Sequence, residues 1–255
     1  MNLAGAAAVI TGGGSGLGAA TAARLCRAGA RVTILDIDEA AGSSMAQTLG
    51  EGARFVACDV ADEAAVRRGI EAAGSDAPVR VVVSCAGIGL PRRLIGRDGQ
   101  AHPLADFQRV LSVNLTGTFN VMRIGAEAML SSPPGPDGER GVIVTTASVA
   151  AFDGQRGQVS YAASKGAIVA MTLPAARDLG GHGIRVCCIA PGLMDTPLFH
   201  TLPPETVAGL TADTVFPDRL GLGEEFALLA EHIVTNRYLN AEVIRLDAGI
   251  RMRAA

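Results

Sequence analysis

The sequence predicts an α/β fold: a single domain built on a doubly wound parallel β-sheet with helices on both faces. Three observations predict it. The chain has 255 residues, a length that one α/β domain fills. Short apolar runs rich in β-branched residues alternate with longer helical stretches, about six times over. Most of those runs are apolar on both faces, as central strands covered by helices on each side must be.

The first strand is expected over 6–11, and "TGGGSGLG" follows it directly. Gly12, Gly16 and Gly18 thus stand between a strand and a helix. A pyrophosphate needs close backbone approach and the free N–H groups of a helix N-terminus, which side chains would block. The spacing is TGxxxGxG rather than GxGxxG, and a ligand-free βα turn uses the same glycines. Position after the first strand and before a long helix favours the dinucleotide reading. The helix, "GLGAATAARLCRAGA", is expected to end at Gly29. The second strand, 31–35, delivers Asp36. A carboxylate there accepts from both hydroxyls of an adenosine ribose and repels a 2′-phosphate. Gly13, Gly14 and Ser15 bring no cation to neutralise such a phosphate, and Ile37 follows, so NAD is expected over NADP. The competing reading of Asp36 is a helix cap before "EAAG". The third strand, 54–60, ends on Asp59 and Val60, placed to meet an adenine; another cap is the plainer alternative.

The fourth strand, 80–87, closes on Ser84-Cys85-Ala86-Gly87. Asn114, in "SVNLTG", can hold a backbone carbonyl or a water and so extend a proton path. "SSPPGPDGERG" (131–141) reads as a solvent turn. The fifth strand, 142–148, ends on Ser148, whose hydroxyl can meet a carbonyl. The next helix, beginning near Gln158, carries Tyr161 and Lys165 at i and i+4, hence on one face. Lys165 is the only lysine beside 21 arginines. A phenol is a poor proton shuttle at neutral pH, and an ammonium beside it favours the phenolate. Lysine suits this better than arginine, being a compact charge with donors left for a ribose hydroxyl. An isolated YxxxK is usually a solvated helix face; the ordered set of glycines, Asp36, Asn114, Ser148, Tyr161 and Lys165 carries the signal. Pro174 predicts a kink or local break in this helix. The sixth strand, 184–192, ends on Pro191 and Gly192. The Pro- and Thr-rich loop 193–220 is expected to close over substrate, and 241–249 forms the last strand.

Composition narrows the function classes. The hydrophobic fraction is 49% with 32 glycines, enough for a large core with many tight turns. A net charge of −3 is too weak and mixed for a nucleic-acid or membrane-surface protein. No apolar run approaches the ~20 residues that span a bilayer. "MNLAGAAAVITGGG" lacks a basic leader region, so a cytoplasmic protein without a signal peptide is expected. Cys26, Cys58, Cys85, Cys187 and Cys188 are odd in number and contain no CxxC pair. They read as reduced, buried fillers, with no metal centre expected.

Through "TGGGSGLG", "SCAG", "SVNLTG", "TTAS", "YAASK" and "APG" the chain resembles the short-chain dehydrogenase/reductase superfamily over its full length. The resemblance implies one Rossmann-like NAD-binding domain over 1–255. It assigns the general acid/base to Tyr161 and the nicotinamide ribose to Lys165, which also favours the phenolate. Ser148 orients the substrate and Asn114 supports a proton relay. One departure is SCAG where the family usually reads NNAG, which alters side-chain hydrogen bonding where the cofactor is met largely by backbone. A closer likeness, through "YAASKGAIVAMTLPAARDLGGHGIRV", "APGLMDTPLF", "FPDRLG" and "LNAEVIRLDAGIRM", is to the type 2 short-chain 3-hydroxyacyl-CoA dehydrogenases, a group also called type 10 17β-hydroxysteroid dehydrogenases. That group oxidises L-3-hydroxyacyl-CoA thioesters and some hydroxysteroids with NAD, as a homotetramer. Its cofactor contacts would fall on Gly12, Ser15, Gly16, Leu17, Gly18, Asp36, Asp59, Val60, Cys85, Gly87, Tyr161, Lys165, Pro191, Gly192 and Thr196. Its substrate contacts would fall on Ser148, Gln155 and Tyr161. The segment "LPRRLIGRDGQAHPLADFQRV" is similar to an insertion typical of the group, and puts Arg92, Arg93 and Arg97 either near the phosphates of CoA or on a solvated loop. Two alternatives stay in the same class, a 3-oxoacyl-thioester reductase and a hydroxysteroid dehydrogenase. One from another class, a catalytically silent dinucleotide-binding scaffold, would tolerate loss of Tyr161 or Lys165.

Overall fold

Seven strands form one sheet in the order β3-β2-β1-β4-β5-β6-β7, and every neighbouring pair is parallel. The computed structural model describes residues 1–197 and 204–254. Along the chain the elements are β1 (Ala7–Thr11), α1 (Gly16–Arg27), β2 (Arg31–Asp36), α2 (Glu39–Leu49), β3 (Ala53–Ala57), α3 (Glu63–Gly74) and β4 (Val79–Ser84). There follow α4 (Leu104–Leu111), a π-helical turn (Ser112–Gly117), α5 (Thr118–Leu130), β5 (Gly141–Thr146), α6 (Ala150–Asp153), α7 (Val159–Gly180) and β6 (Ile184–Pro191). The last elements are α8 (Pro204–Thr211), α9 (Gly223–Thr235) and β7 (Val243–Leu246).

Alternation within the strands divides the core into two layers. Val9, Val79 and Val82 point to one side of the sheet, where they meet α3 and α5 through Val66, Ile70, Val121 and Met129. Ala8, Ile10, Val81 and Val83 point to the other, against α1 and α9 through Leu25, Phe226 and Ile233. Every residue of β1, β5 and β6 is buried, so these strands can alternate only between two apolar layers. Two Asp residues, Asp38 and Asp62, cap α2 and α3 by accepting from Ala41 and Ala64 N–H groups. Among the described residues no helix is long and apolar enough to cross a membrane.

Some local expectations need correction. The strands expected to reach Val60, Gly87, Ser148 and Gly192 leave the ladder at Ala57, Ser84, Thr146 and Pro191. Their last residues turn outward to form the rim of the sheet's carboxyl end. The helix α7 runs through Pro174 without a break. Pro174 and Ala170, the residue whose carbonyl loses its partner, both lie on the exposed face, where water replaces the missing donor. Cys58, Cys187 and Cys188 are buried, but Cys26 and Cys85 are only partly so. The 193–220 loop contains α8; its residues 198–203 lie outside those described.

The strand order reverses between β1 and β4. A crevice therefore opens at the carboxyl ends of these strands, because the connections on either side lead away in opposite directions. Asp36, Cys85, Gly87, Ser148, Pro191 and Gly192 all lie in or just beyond the carboxyl ends of successive strands.

Candidate active site

The turn after β1 is built so that nothing projects into it. Gly12 has φ +63°, and a Cβ there would lie 2.8 Å from the Ala86 nitrogen, so β1's turn and β4's exit touch backbone to backbone. A Cβ on Gly18 would run into the Gly12 carbonyl, which fixes the start of α1 against the turn. Gly16, also at positive φ, is roofed by Thr196, whose methyl would lie 3.7 Å from a Cβ. Ser15 is the N-cap of α1, yet its side chain makes no capping bond, and no acidic residue occupies the first turn. Leu17, two residues after Ser15, is half-buried. The helix thus presents its N–H dipoles to the crevice, as an anion requires.

Asp36 is not a helix cap, since Asp38 serves α2. Its two carboxylate oxygens instead accept separate backbone N–H groups, Oδ2 from Gly14 at 2.9 Å and Oδ1 from Asp38 at 3.0 Å. The carboxylate is held in place beside the glycine turn, and each oxygen keeps lone-pair capacity for a further donor. Asp59 likewise leaves α3 to Asp62; it is exposed and accepts from Ala61 N–H. Val60 turns its side chain inward, where its Cγ2 fills the space a Cβ on Gly117 would need. Only its backbone can face a ligand, and its carbonyl already accepts from Asn120 at 3.2 Å.

The second half of the crevice gathers residues from β4, the π-helical turn, β5 and α7. Lys165 is 4% exposed and donates from Nζ to the Thr146 carbonyl at 2.8 Å. Its Nζ lies 5.7 Å from the centre of the Tyr161 ring. A buried ammonium without partners is costly, so this bond and the crevice-facing donors are what permit it there. A Cβ on Gly87 would come within 3.2 Å of Asn114 Oδ1 and 3.5 Å of Lys165 Nζ; the glycine keeps that approach open. Asn114 is fully buried and acts as a clamp. Its Nδ2 donates to the Ile88 carbonyl at 2.9 Å and to Ser164 Oγ at 3.0 Å, while Oδ1 accepts from Ile88 N–H at 2.8 Å. Ser164 in turn donates to the Tyr161 carbonyl at 2.7 Å. One amide therefore joins the exit of β4 to the turn of α7 that carries Tyr161. The π-helical turn supplies the extra residue that aims Asn114 inward, a device common at functional sites.

Ser148 is half-buried, and its Oγ accepts from Ala150 N–H at 3.1 Å. That bond fixes the oxygen while the hydroxyl proton remains to be donated. Cys85 receives a hydrogen bond from Thr146 Oγ1 at 3.7 Å. Burial pushes its thiol up to about 11, so at neutral pH it is neither a base nor an anionic nucleophile. Pro191 accepts from Val149 N–H at 2.9 Å, and Gly192 packs so closely on Asp247 that a Cβ would lie 2.8 Å from its Cα. Gln155 sits farther out, with its amide donating to the Arg253 carbonyl at 3.2 Å. Of the three arginines, Arg92 is tied to Asp106 at 2.6 Å; Arg93 and Arg97 are exposed and make no ion pair among the described residues.

Thr146, Ser164 and Ile88 do much of the positioning, and sequence reading missed them. Ile88 meets Asn114 through its backbone N–H and carbonyl, and Thr146 meets Lys165 through its backbone carbonyl, groups that leave no residue-type signature. Ser164 was visible one position before Lys165, but only the fold shows that it meets Asn114.

Comparison with known proteins shows what the chain as a whole is similar to. A family model described as short chain dehydrogenase matches residues 6–206. The 3-hydroxyacyl-CoA dehydrogenase type-2 of Homo sapiens is 51% identical over 251 residues, covering 98% of this chain and 96% of that protein. The protein of the same name in Drosophila melanogaster is 47% identical, over 97% and 98% of the two chains. A crystal structure of 3-hydroxyacyl-CoA dehydrogenase type-2 from Mycobacterium avium superimposes with a TM-score of 0.94 at 40% identity, covering 98% of each chain.

Proposed function

The chain belongs to the short chain dehydrogenase family, and on that premise we propose that it oxidises 3-hydroxyacyl-CoA thioesters to 3-oxoacyl-CoA with NAD, in fatty-acid or branched-chain acyl degradation. The observation that carries the reading is the buried Lys165 beside Tyr161 at the carboxyl end of the sheet, with Ser148 on the neighbouring strand exit.

The residues present fit a nicotinamide dinucleotide. The cradle of Gly12, Gly16 and Gly18 is space that a Cβ would fill or strain, and it faces an uncapped helix N-terminus. Asp36, held by two N–H groups, would accept from the adenosine ribose and repel a 2′-phosphate, which favours NAD over NADP. Ser15, Leu17, Asp59, the backbone of Val60, Cys85, Gly87, Pro191, Gly192 and Thr196 would complete that half of the site. When bound, the dinucleotide supplies the acceptor for the hydride that leaves the substrate's carbinol carbon.

The chain's own residues supply the proton chemistry. Tyr161 takes the hydroxyl proton at its phenolic oxygen, with the Lys165 ammonium 5.7 Å from the centre of its ring. Ser148 donates to the substrate oxygen and so aligns the carbinol with the phenol. Asn114 acts as a positioning residue: its amide is committed to Ile88 and Ser164, so it holds the two walls of the site at fixed separation. Gln155 is read as a further substrate contact. The α7 run "YAASKGAIVAM" is dense in Ala and Gly, which allows close helix–helix contact and supports assembly as a homotetramer. The whole chain is read as one NAD-binding domain working in the cytoplasm.

Steady-state oxidation of both enantiomers of 3-hydroxyacyl-CoAs, with hydroxysteroids and simple alcohols alongside and NAD or NADP as acceptor, tests this. The expected result is highest kcat/KM for a 3-hydroxyacyl-CoA, with NAD favoured by about tenfold or more. Equal use of NADP, or a steroid as best substrate, would overturn the corresponding part. Asp36→Ala is expected to erode the cofactor preference.

A further inference from the structure

Residues 148–158 join β5 to α7 and carry Ser148, α6 and Gln155. They are bound to a stretch nearly a hundred positions later in the chain. Arg245 of β7 donates from Nη2 to Asp153 Oδ2 and from Nε to Asp247 Oδ2, both at 2.7 Å. Its Nη2 also reaches the Ile250 carbonyl at 3.0 Å, and its guanidinium lies 5.2 Å from the centre of the Phe152 ring. Gln155 Nε2 donates to the Arg253 carbonyl at 3.2 Å. α6 and Gln155 are thereby tied to the 245–253 stretch at both ends.

The same stretch continues to the segment that follows α8. Arg253 pairs with Asp213 at 2.5 Å, and the Ala248 carbonyl accepts from Val215 at 2.8 Å and from Phe216 at 3.2 Å. Ala248 has φ +50°, a left-handed conformation that a residue with a Cβ adopts only under constraint. The ion pairs here are not surface decoration. Arg245, Asp153 and Asp247 side chains are 21%, 19% and 9% exposed, and one guanidinium bonds both carboxylates in a fixed fork.

We propose that residues 245–253 are a strap that positions the substrate-facing loop 148–158. Arg245 holds α6, and the backbone carbonyl of Arg253 fixes the Gln155 amide. Arg245 is a positioning residue, acting through Asp153 on the element that begins at Ser148. With one Nε2 hydrogen committed to Arg253, the Gln155 amide is held in one orientation. The glycine turn and Asp36 make none of these contacts, so the strap does not bear on the adenosine end; it meets the cofactor half only where the Asp247 backbone packs on Gly192, which neither variant below alters. This rests on the reading of Ser148 and Gln155 as substrate-facing residues.

Two variants test it: Arg245→Met, which keeps the stem and removes the fork, and a deletion of residues 252–255, which removes the Arg253 contacts with Gln155 and Asp213. Three readouts are compared with wild type: KM and kcat for the best 3-hydroxyacyl-CoA, NADH affinity by fluorescence titration, and amide hydrogen exchange by peptide. Both variants are expected to raise KM by about tenfold while NADH affinity stays within about twofold. Exchange is expected to accelerate by about tenfold in 148–158 and not in 6–36. Unchanged KM and exchange would overturn the strap. So would a loss of NADH affinity parallel to KM with faster exchange throughout, which is general destabilisation. A wild type inactive on every 3-hydroxyacyl-CoA would instead defeat the substrate reading, and the exchange comparison would still decide the strap.

Discussion

A buried ammonium can occupy only a place shaped for it, and the place of Lys165 is small. Its Nζ has the Thr146 carbonyl at 2.8 Å on one side and Gly87 on the other, with no Cβ between. A guanidinium is wider and planar, and cannot put a point charge beside Tyr161 while reaching the same carbonyl. Lys165→Arg is therefore expected to lower kcat by about a hundredfold despite keeping the charge. Wild-type kcat in the Lys165→Arg variant would mean that Lys165 is only a helix-face charge. The thiol at Cys85 offers a second test at this scale. Burial raises it to about 11, so alkylation by iodoacetamide at pH 7.5 should be very slow, and should accelerate with pH up to that value. Mass spectrometry of the modified peptide reads the rate; fast labelling at neutral pH would contradict the neutral thiol.

Elements here are fixed by what they cannot contain. The start of α1 touches the turn after β1 at Gly18, where a Cβ would collide with the Gly12 carbonyl. Backbone cannot move aside as a flexible side chain can. Gly18→Ala is expected to cost about 1–3 kcal/mol, read as a lower urea midpoint, and to weaken NADH binding as well. An unchanged midpoint and NADH affinity would show that the turn has slack. The opposite holds for α7 at Pro174. It lies on the exposed face, far along the helix from Tyr161, and it removes one helical hydrogen bond. Pro174→Ala restores that donor and should stabilise the protein by about 1–2 kcal/mol, after allowing for the stiffer unfolded chain that proline provides. Destabilisation would mean that the proline packs against something in the assembled protein.

For the whole molecule, acid stability follows from carboxylates whose protons are held off in the folded state. Glu225 accepts from Arg219 and from the Leu222 N–H at the start of α9, which together bring its carboxyl down to about 2. Asp153 is lowered by Arg245, and Glu63 by Arg123. A depressed folded value means that the contribution is complete above the unfolded value, near 4.5 for glutamate, and is lost as pH falls toward the folded one. Stability against urea is expected to be flat from neutral pH to about 5 and then to fall as pH drops toward 2. Glu63 and Glu225 are largely exposed, so each contributes modestly. A fall that begins above pH 6 would point to a different group. Assembly belongs to this scale too: analytical ultracentrifugation at micromolar concentration should report a closed oligomer, and a monomer would contradict the tetramer.

Sequence alone determined whatever depends on short spacings. The alternation of two-faced apolar strands with helices specifies a parallel sheet covered by helices, because strands apolar on both sides must be buried on both. The TGxxxGxG turn, Asp36 at the end of the second strand and the i, i+4 pair of Tyr161 and Lys165 were legible for the same reason: each is a local pattern with a local geometric consequence. Only the tertiary structure decided which carboxylate caps which helix, since Asp36 and Asp38 are chemically identical and two residues apart. It alone brought Asn114 to Ile88 and Ser164, 26 and 50 positions away, and Gln155 to Arg253, 98 positions away. Those meetings follow from strand order and crossover, and half of each bond is a backbone carbonyl or a hydroxyl common to many positions. A spacing rule cannot find a partner that every residue carries; the folded sheet finds it by bringing the two strand ends together.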